Sequence, residues 1–171
     1  VVRFRVGKGT VYLMTVYAYP GHERLREVAS ALLAKLASEN RPECRVDDPA
    51  REVFWNQWNE SEHVRRMMLL NTDWTTAGNR KKVNVATPCV SFETEVVERV
   101  PMLLTVLPFA VLDPDPQLHV EVLSASETGA KLRLHGTGRP WMTVRYANGA
   151  VESMEIDLTA NTVLETSLSS R

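Results

Sequence analysis

The stretch TVRYANGAVESMEI, residues 143–156, decides the fold. Thr143 to Tyr146 alternate polar with apolar side chains, the period of a strand with one buried face, and Val151 to Ile156 is a short strand-like run without a strict period. Between them Asn148-Gly149 is a dipeptide that accepts positive φ, the strongest short-range signal for a two-residue β-hairpin. Working outward, short runs of the same kind recur from Cys44 onward. They span 53–58, 64–70, 82–86, 90–97, 102–107, 119–123, 131–135, 142–146, 151–156 and 163–167. Breakers separate them, among them Thr76-Ala77-Gly78-Asn79, Asp113-Pro114-Asp115-Pro116 and Gly136-Thr137-Gly138. About ten short strands with regular turns predict an antiparallel, jelly-roll-like β-sandwich over residues 43–171.

Residues 1–42 read differently. GKGTVYLMTVYAYPGHERL, residues 7–25, sets a glycine pair before an apolar run and a helix. A phosphate-binding loop needs a strand, then the glycines, then a helix N-terminus. Here Gly7-Lys8-Gly9 lies between two strand-like runs, so the glycines are expected to turn a hairpin. Leu25, Val28, Ala29, Leu32, Leu33 and Leu36 then follow the i, i+3, i+4, i+7 pattern of a half-buried helix. Asn40-Arg41-Pro42 ends it. The whole is expected to be α+β, with a strand-hairpin-helix α/β remnant at 1–42 ahead of the sandwich.

Composition narrows the function. Twenty Lys and Arg balance twenty-one Asp and Glu. That argues against nucleic-acid or anionic-membrane partners, which bind through clustered cations. No run of eighteen apolar residues exists, so no membrane span is expected. The chain opens on Val1-Val2-Arg3-Phe4-Arg5-Val6, which alternates like a strand and lacks an initiator Met, and it reads as a piece of something longer. Cytoplasmic and secreted locations both stay open. Two cysteines, Cys44 and Cys89, are too few for a metal site or a disulfide framework; a single bridge between them stays open, and two buried free thiols are the preferred reading.

Trp55, Trp58, Trp74 and Trp141 are the first candidates for binding, because indole faces suit the apolar C–H face of a sugar ring. Trp55 and Trp58 would point to opposite sheet faces. The oligosaccharide-stacking set is therefore Trp74, in the loop-like LLNTDWTTAGN, with Trp141 and Trp58. Asp113 and Asp115 could lend oxygens to a structural calcium, although Asp-Pro pairs also form ordinary turns. His22, His63, His119 and His135 have no ligand spacing, and no G-x-S-x-G elbow occurs. Glu60 and Glu62 are a pair that chance readily supplies. No catalytic residues are assigned.

RFRVGKGTVYLMTVYAYPGHERLREVASALLAKLA, residues 3–37, resembles the end of the glutamine-amidotransferase-like, or trimerisation-type, α/β domain of bacterial glycoside hydrolases. RRMMLLNTDWT, residues 65–75, resembles the strand that opens the C-terminal β-sandwich of such enzymes. These are fold motifs, and the catalytic acid and nucleophile of that family lie on a barrel outside them. The resemblance implies a non-catalytic C-terminal portion that supports a parent catalytic domain or an oligomer. The other reading is a carbohydrate-binding module with exposed tryptophans.

Overall fold

The computed structural model describes residues 2–7, 9–13, 23–39, 42–73, 75–160 and 162–171. They fall into two units, 1–42 and 43–171. In the first, β1 (Val2–Val6) and β2 (Gly9–Leu13) pair antiparallel, with Gly7 at φ +59° in the turn between them. The register puts Phe4 opposite Val11 and Val2 opposite Leu13, so one ribbon face is apolar and exposed. Helix α1 (Glu23–Glu39) buries Ala29 and half-buries Leu32 and Leu36. Val28 and Leu33, expected on the buried stripe, are exposed.

Among its described residues the second unit holds twelve strands. They are β3 (Arg45–Asp47), β4 (Val53–Ser61), β5 (Val64–Asn71), β6 (Arg80–Ala86), β7 (Ser91–Val97) and β8 (Met102–Val106), then β9 (Ala110–Pro114), β10 (His119–Ala125), β11 (Gly129–His135), β12 (Trp141–Tyr146), β13 (Val151–Glu155) and β14 (Val163–Ser169). The ten expected strands are among them. The two additions are β3 and β9. A six-stranded antiparallel sheet runs β13-β12-β9-β8-β5-β4, and two three-stranded sheets run β10-β11-β14 and β3-β6-β7. The architecture is thus antiparallel and sandwich-like.

The small sheets cover opposite sides of the large one, and each encloses its own core. On the first side, Leu112, Met142, Val144 and Tyr146 pack with Val120, Leu132 and Leu134. On the second, Met67, Leu69, Leu104, Val106 and Val111 pack with Val83, Val85, Val96 and Cys44. Full burial of each such side chain contributes about 1.5–3 kcal/mol. Strand β9 serves both cores, because Val111 faces one and Leu112 the other.

The Asn148-Gly149 turn differs in detail from the two-residue expectation. Gly149 has φ +86°, while Asn148 is absent from the residues with positive φ. Tyr146 N–H donates to Ala150 O at 2.8 Å, and Gly149 N–H to Tyr146 O at 3.0 Å. The loop is therefore Ala147 to Gly149, a three-residue hairpin in which glycine alone takes the left-handed region.

Candidate functional site

Two rows of side chains cross all six strands of the large sheet. The first is Trp58, Arg66, Thr105, Leu112, Val144 and Glu152; the second is Asn59, Arg65, Val106, Val111, Arg145 and Val151. Neighbouring residues alternate across the pleat, so the rows project to opposite sides. Burial follows the covering sheets. In the first row Thr105, Leu112 and Val144 are buried and Trp58 is 43% exposed. In the second, Val106 and Val111 are buried and Val151 is 60% exposed. Because the covers are offset, each side keeps one open half.

The open half of the first side lies on β4, β5 and β8. It presents Phe54, 52% exposed, with Trp58 and Leu103, over half-buried Met68 and Leu70. Beneath Trp58 in the register lies Arg66, only 6% exposed. Its Nε donates to Glu60 Oε2 and its terminal nitrogen to Thr105 Oγ1, which satisfies a cation that would otherwise be costly to bury. At Leu103 this half runs into a cleft of about 330 Å³ lined by Pro101, Pro114, Pro116 and Leu118. Trp55, on the other side of β4, packs against the second core.

The edge of β4 is closed to strand addition at two points. Val53 N–H donates to Asp48 Oδ2 at 2.7 Å and Gln57 N–H to Asn56 Oδ1 at 2.8 Å. Side chains thus occupy amides that an added strand would need.

The open half of the second side lies on β12 and β13, where Trp141 is 49% exposed. Asp115 Oδ2 accepts the Trp141 backbone N–H at 2.8 Å, and Asp115 N–H donates to Trp141 O at 2.9 Å. Asp113 accepts from Arg145 at 3.1 Å, and that guanidinium lies 4.4 Å from the centre of the Phe92 ring. Burial pushes the Asp113 carboxyl up, against the opposing pull of Arg145. Both aspartates line a cleft of about 200 Å³ with Glu95, Met102 and Thr143.

The sugar and calcium candidates are therefore divided. Trp141, Asp113 and Asp115 share one region, Trp58 stands on the opposite side of the sheet, and Trp74 lies outside the described residues. One oxygen of each aspartate is already engaged by Arg145 or by the Trp141 amide. Among the described residues no three His, Cys, Asp or Glu side chains are grouped to hold a metal ion. Cys44 and Cys89 are free thiols, and burial raises the pKa of Cys44.

Strand pairing also assembles a group that spacing in sequence did not reveal. On β10 and β11, His119 and His135 stand opposite each other with ring centres 5.9 Å apart. Glu121 Oε2 lies 3.2 Å from His135 Nε2 and accepts from Arg133. The hydrogen bond with His135, with Arg133 beside it, holds Glu121 below the usual carboxylate range. Only the β10–β11 register could have predicted this cluster.

Among the described residues no helix is long and apolar enough to cross a membrane. No family model, curated protein or solved structure matches the chain.

Proposed function

We propose that this chain is a non-catalytic accessory portion of a carbohydrate-active protein, and that its sandwich unit docks against a neighbouring protein domain or oligomer partner. The observation that carries the docking is the open first side, where Phe54, Trp58 and Leu103 are exposed around half-buried Met68 and Leu70, with Asn56 between the two aromatics. Clustered exposed apolar side chains set among polar ones mark protein contacts. Closed points on the β4 edge favour docking through this face over strand addition. The carbohydrate-active parent, with its catalytic residues elsewhere, is supported by the resemblance of residues 3–37 and 65–75 to glycoside hydrolase segments. The same reading takes the sandwich as jelly-roll-like and residues 1–42 as the remnant of an α/β domain. Repeated crossings between sheets, at β5–β6, β7–β8, β9–β10 and β11–β12, support the jelly-roll-like part of this reading.

The test compares the chain with a Phe54→Ser, Trp58→Ser, Leu103→Ser variant, using sedimentation and binding of an apolar fluorescent dye. Dye binding or self-association present in the parent and lost in a folded variant supports docking through this strip. Equal behaviour of the two proteins overturns it.

A further inference from the structure

The open half of the second side has a different chemistry from the first. We propose that it binds a neutral oligosaccharide, with Trp141 as the stacking platform and the polar groups of β9, β12 and β13 as hydrogen-bonding partners. This site lies on the opposite side of the sheet from the docking strip and does not depend on it.

The register builds the platform. On this side β12 presents Trp141, Thr143 and Arg145, and β13 presents Glu155, Ser153 and Val151 directly opposite them. Asp113 of β9 stands opposite Thr143. Four residue steps run from Trp141 to Arg145, about 13 Å, and three strands give about 10 Å of width. The surface thus extends beyond a single sugar ring, and Arg145 and Asp113, each 16% exposed, close it on the β9 side.

Its groups suit a polyhydroxylated ligand. Trp141 is about half exposed, and an indole suits the C–H face of a pyranose. Thr143 Oγ1 and Ser153 Oγ lie 3.0 Å apart and keep acceptor capacity beyond their mutual bond. Glu155 is exposed beside Trp141, and Asp113 holds a second oxygen besides the one that takes Arg145. Carboxylates of Asp113, Asp115 and Glu155, with Glu95 in the adjoining cleft, outnumber the cations Arg145 and Arg80, which pair with Asp113 and Glu95. That balance disfavours phosphates and acidic glycans. Only Val151 adds large apolar area to Trp141 here, unlike the Phe54, Trp58 and Leu103 strip, so a protein partner is the poorer fit.

The test is a titration with neutral hexasaccharides of glucose, xylose, mannose and galactose, followed by tryptophan fluorescence and by calorimetry. A saturable response to at least one sugar is expected in the parent chain and in Trp58→Ala. In Trp141→Ala the Kd is expected to rise at least about tenfold. Glu155→Gln, a surface change, should weaken binding by about threefold and keeps the test valid if Trp141→Ala is poorly folded. A flat response to all four sugars at millimolar concentration overturns the proposal. So does a response that survives unchanged in folded Trp141→Ala. Neither result bears on the docking strip, because Trp58 stands on the other side.

Discussion

Trp58 and Trp141, both about half exposed, point away from each other across one six-stranded sheet. Sites more than about 7–10 Å apart without shared partners have additive effects on stability. Trp58→Ala and Trp141→Ala should therefore each cost about 1 kcal/mol or less, and the double variant should cost their sum to within about 0.5 kcal/mol. Urea unfolding followed by circular dichroism measures all three. A coupling well above that would mean that the two indoles share an environment.

Arg66 is buried between Glu60 and Thr105. Removing the carboxylate by Glu60→Ala leaves a poorly solvated cation. Its expected cost is about 2 kcal/mol, because Glu60 itself is partly exposed. Arg66→Met removes the charge and keeps the length, so it should cost less than Glu60→Ala. The ordering of the two urea midpoints is the check; the reverse order would show that the pair itself stabilises the fold.

Val111 and Leu112 are sequence neighbours in different cores. Leu112→Ala should cost about 2–5 kcal/mol. Val111→Ala also removes fully buried methyl groups, so it should destabilise measurably. Phe54→Ala, on the open half, should cost far less than Leu112→Ala despite the larger side chain. Thermal melts rank the three.

Asp73 accepts from the Thr75 hydroxyl and pairs with Lys81 at 2.9 Å, which lowers its pKa to about 2. A carboxyl whose folded pKa is depressed contributes stability that is present above its unfolded pKa, near 4, and lost as pH falls through the folded value. The Tm should therefore drop between about pH 4 and pH 2, and Asp73→Asn should flatten that limb. Asp113, with its pKa raised by burial, has the opposite sign. Its contribution is present below the unfolded pKa and fades as pH rises through the folded one. If the acid limb of Asp73→Asn overlays that of the parent chain, the Thr75 and Lys81 contacts do not form in solution.

What could be read in the sequence was local. Alternating runs and turn residues marked ten strands, and Asn148-Gly149 marked a hairpin. Strand β9 escaped because Phe109 to Leu112 are buried on both sides of the sheet and show no alternation. The Asp-Pro pairs after them looked like a breaker, and Pro114 instead closes the strand. Strand β3 has three residues, too few to show a period. The candidate sites were less legible still. Exposure of Trp141 and Trp58 depends on which half of each sheet side is covered, and the meeting of His119 with His135 depends on register. Pairings between strands distant in sequence leave no mark in the spacing of residues along the chain.

Strand β9 is a wall common to both cores, and this determines how the sandwich unit comes apart. Neither core can lose its packing while β9 stays fully supported, because Val111 and Leu112 are carried by the same backbone. The unit should therefore melt as one cooperative block, with a single calorimetric transition in place of two. Amides of β8, β9 and β12 should exchange with deuterium together and last, at the free energy of global unfolding.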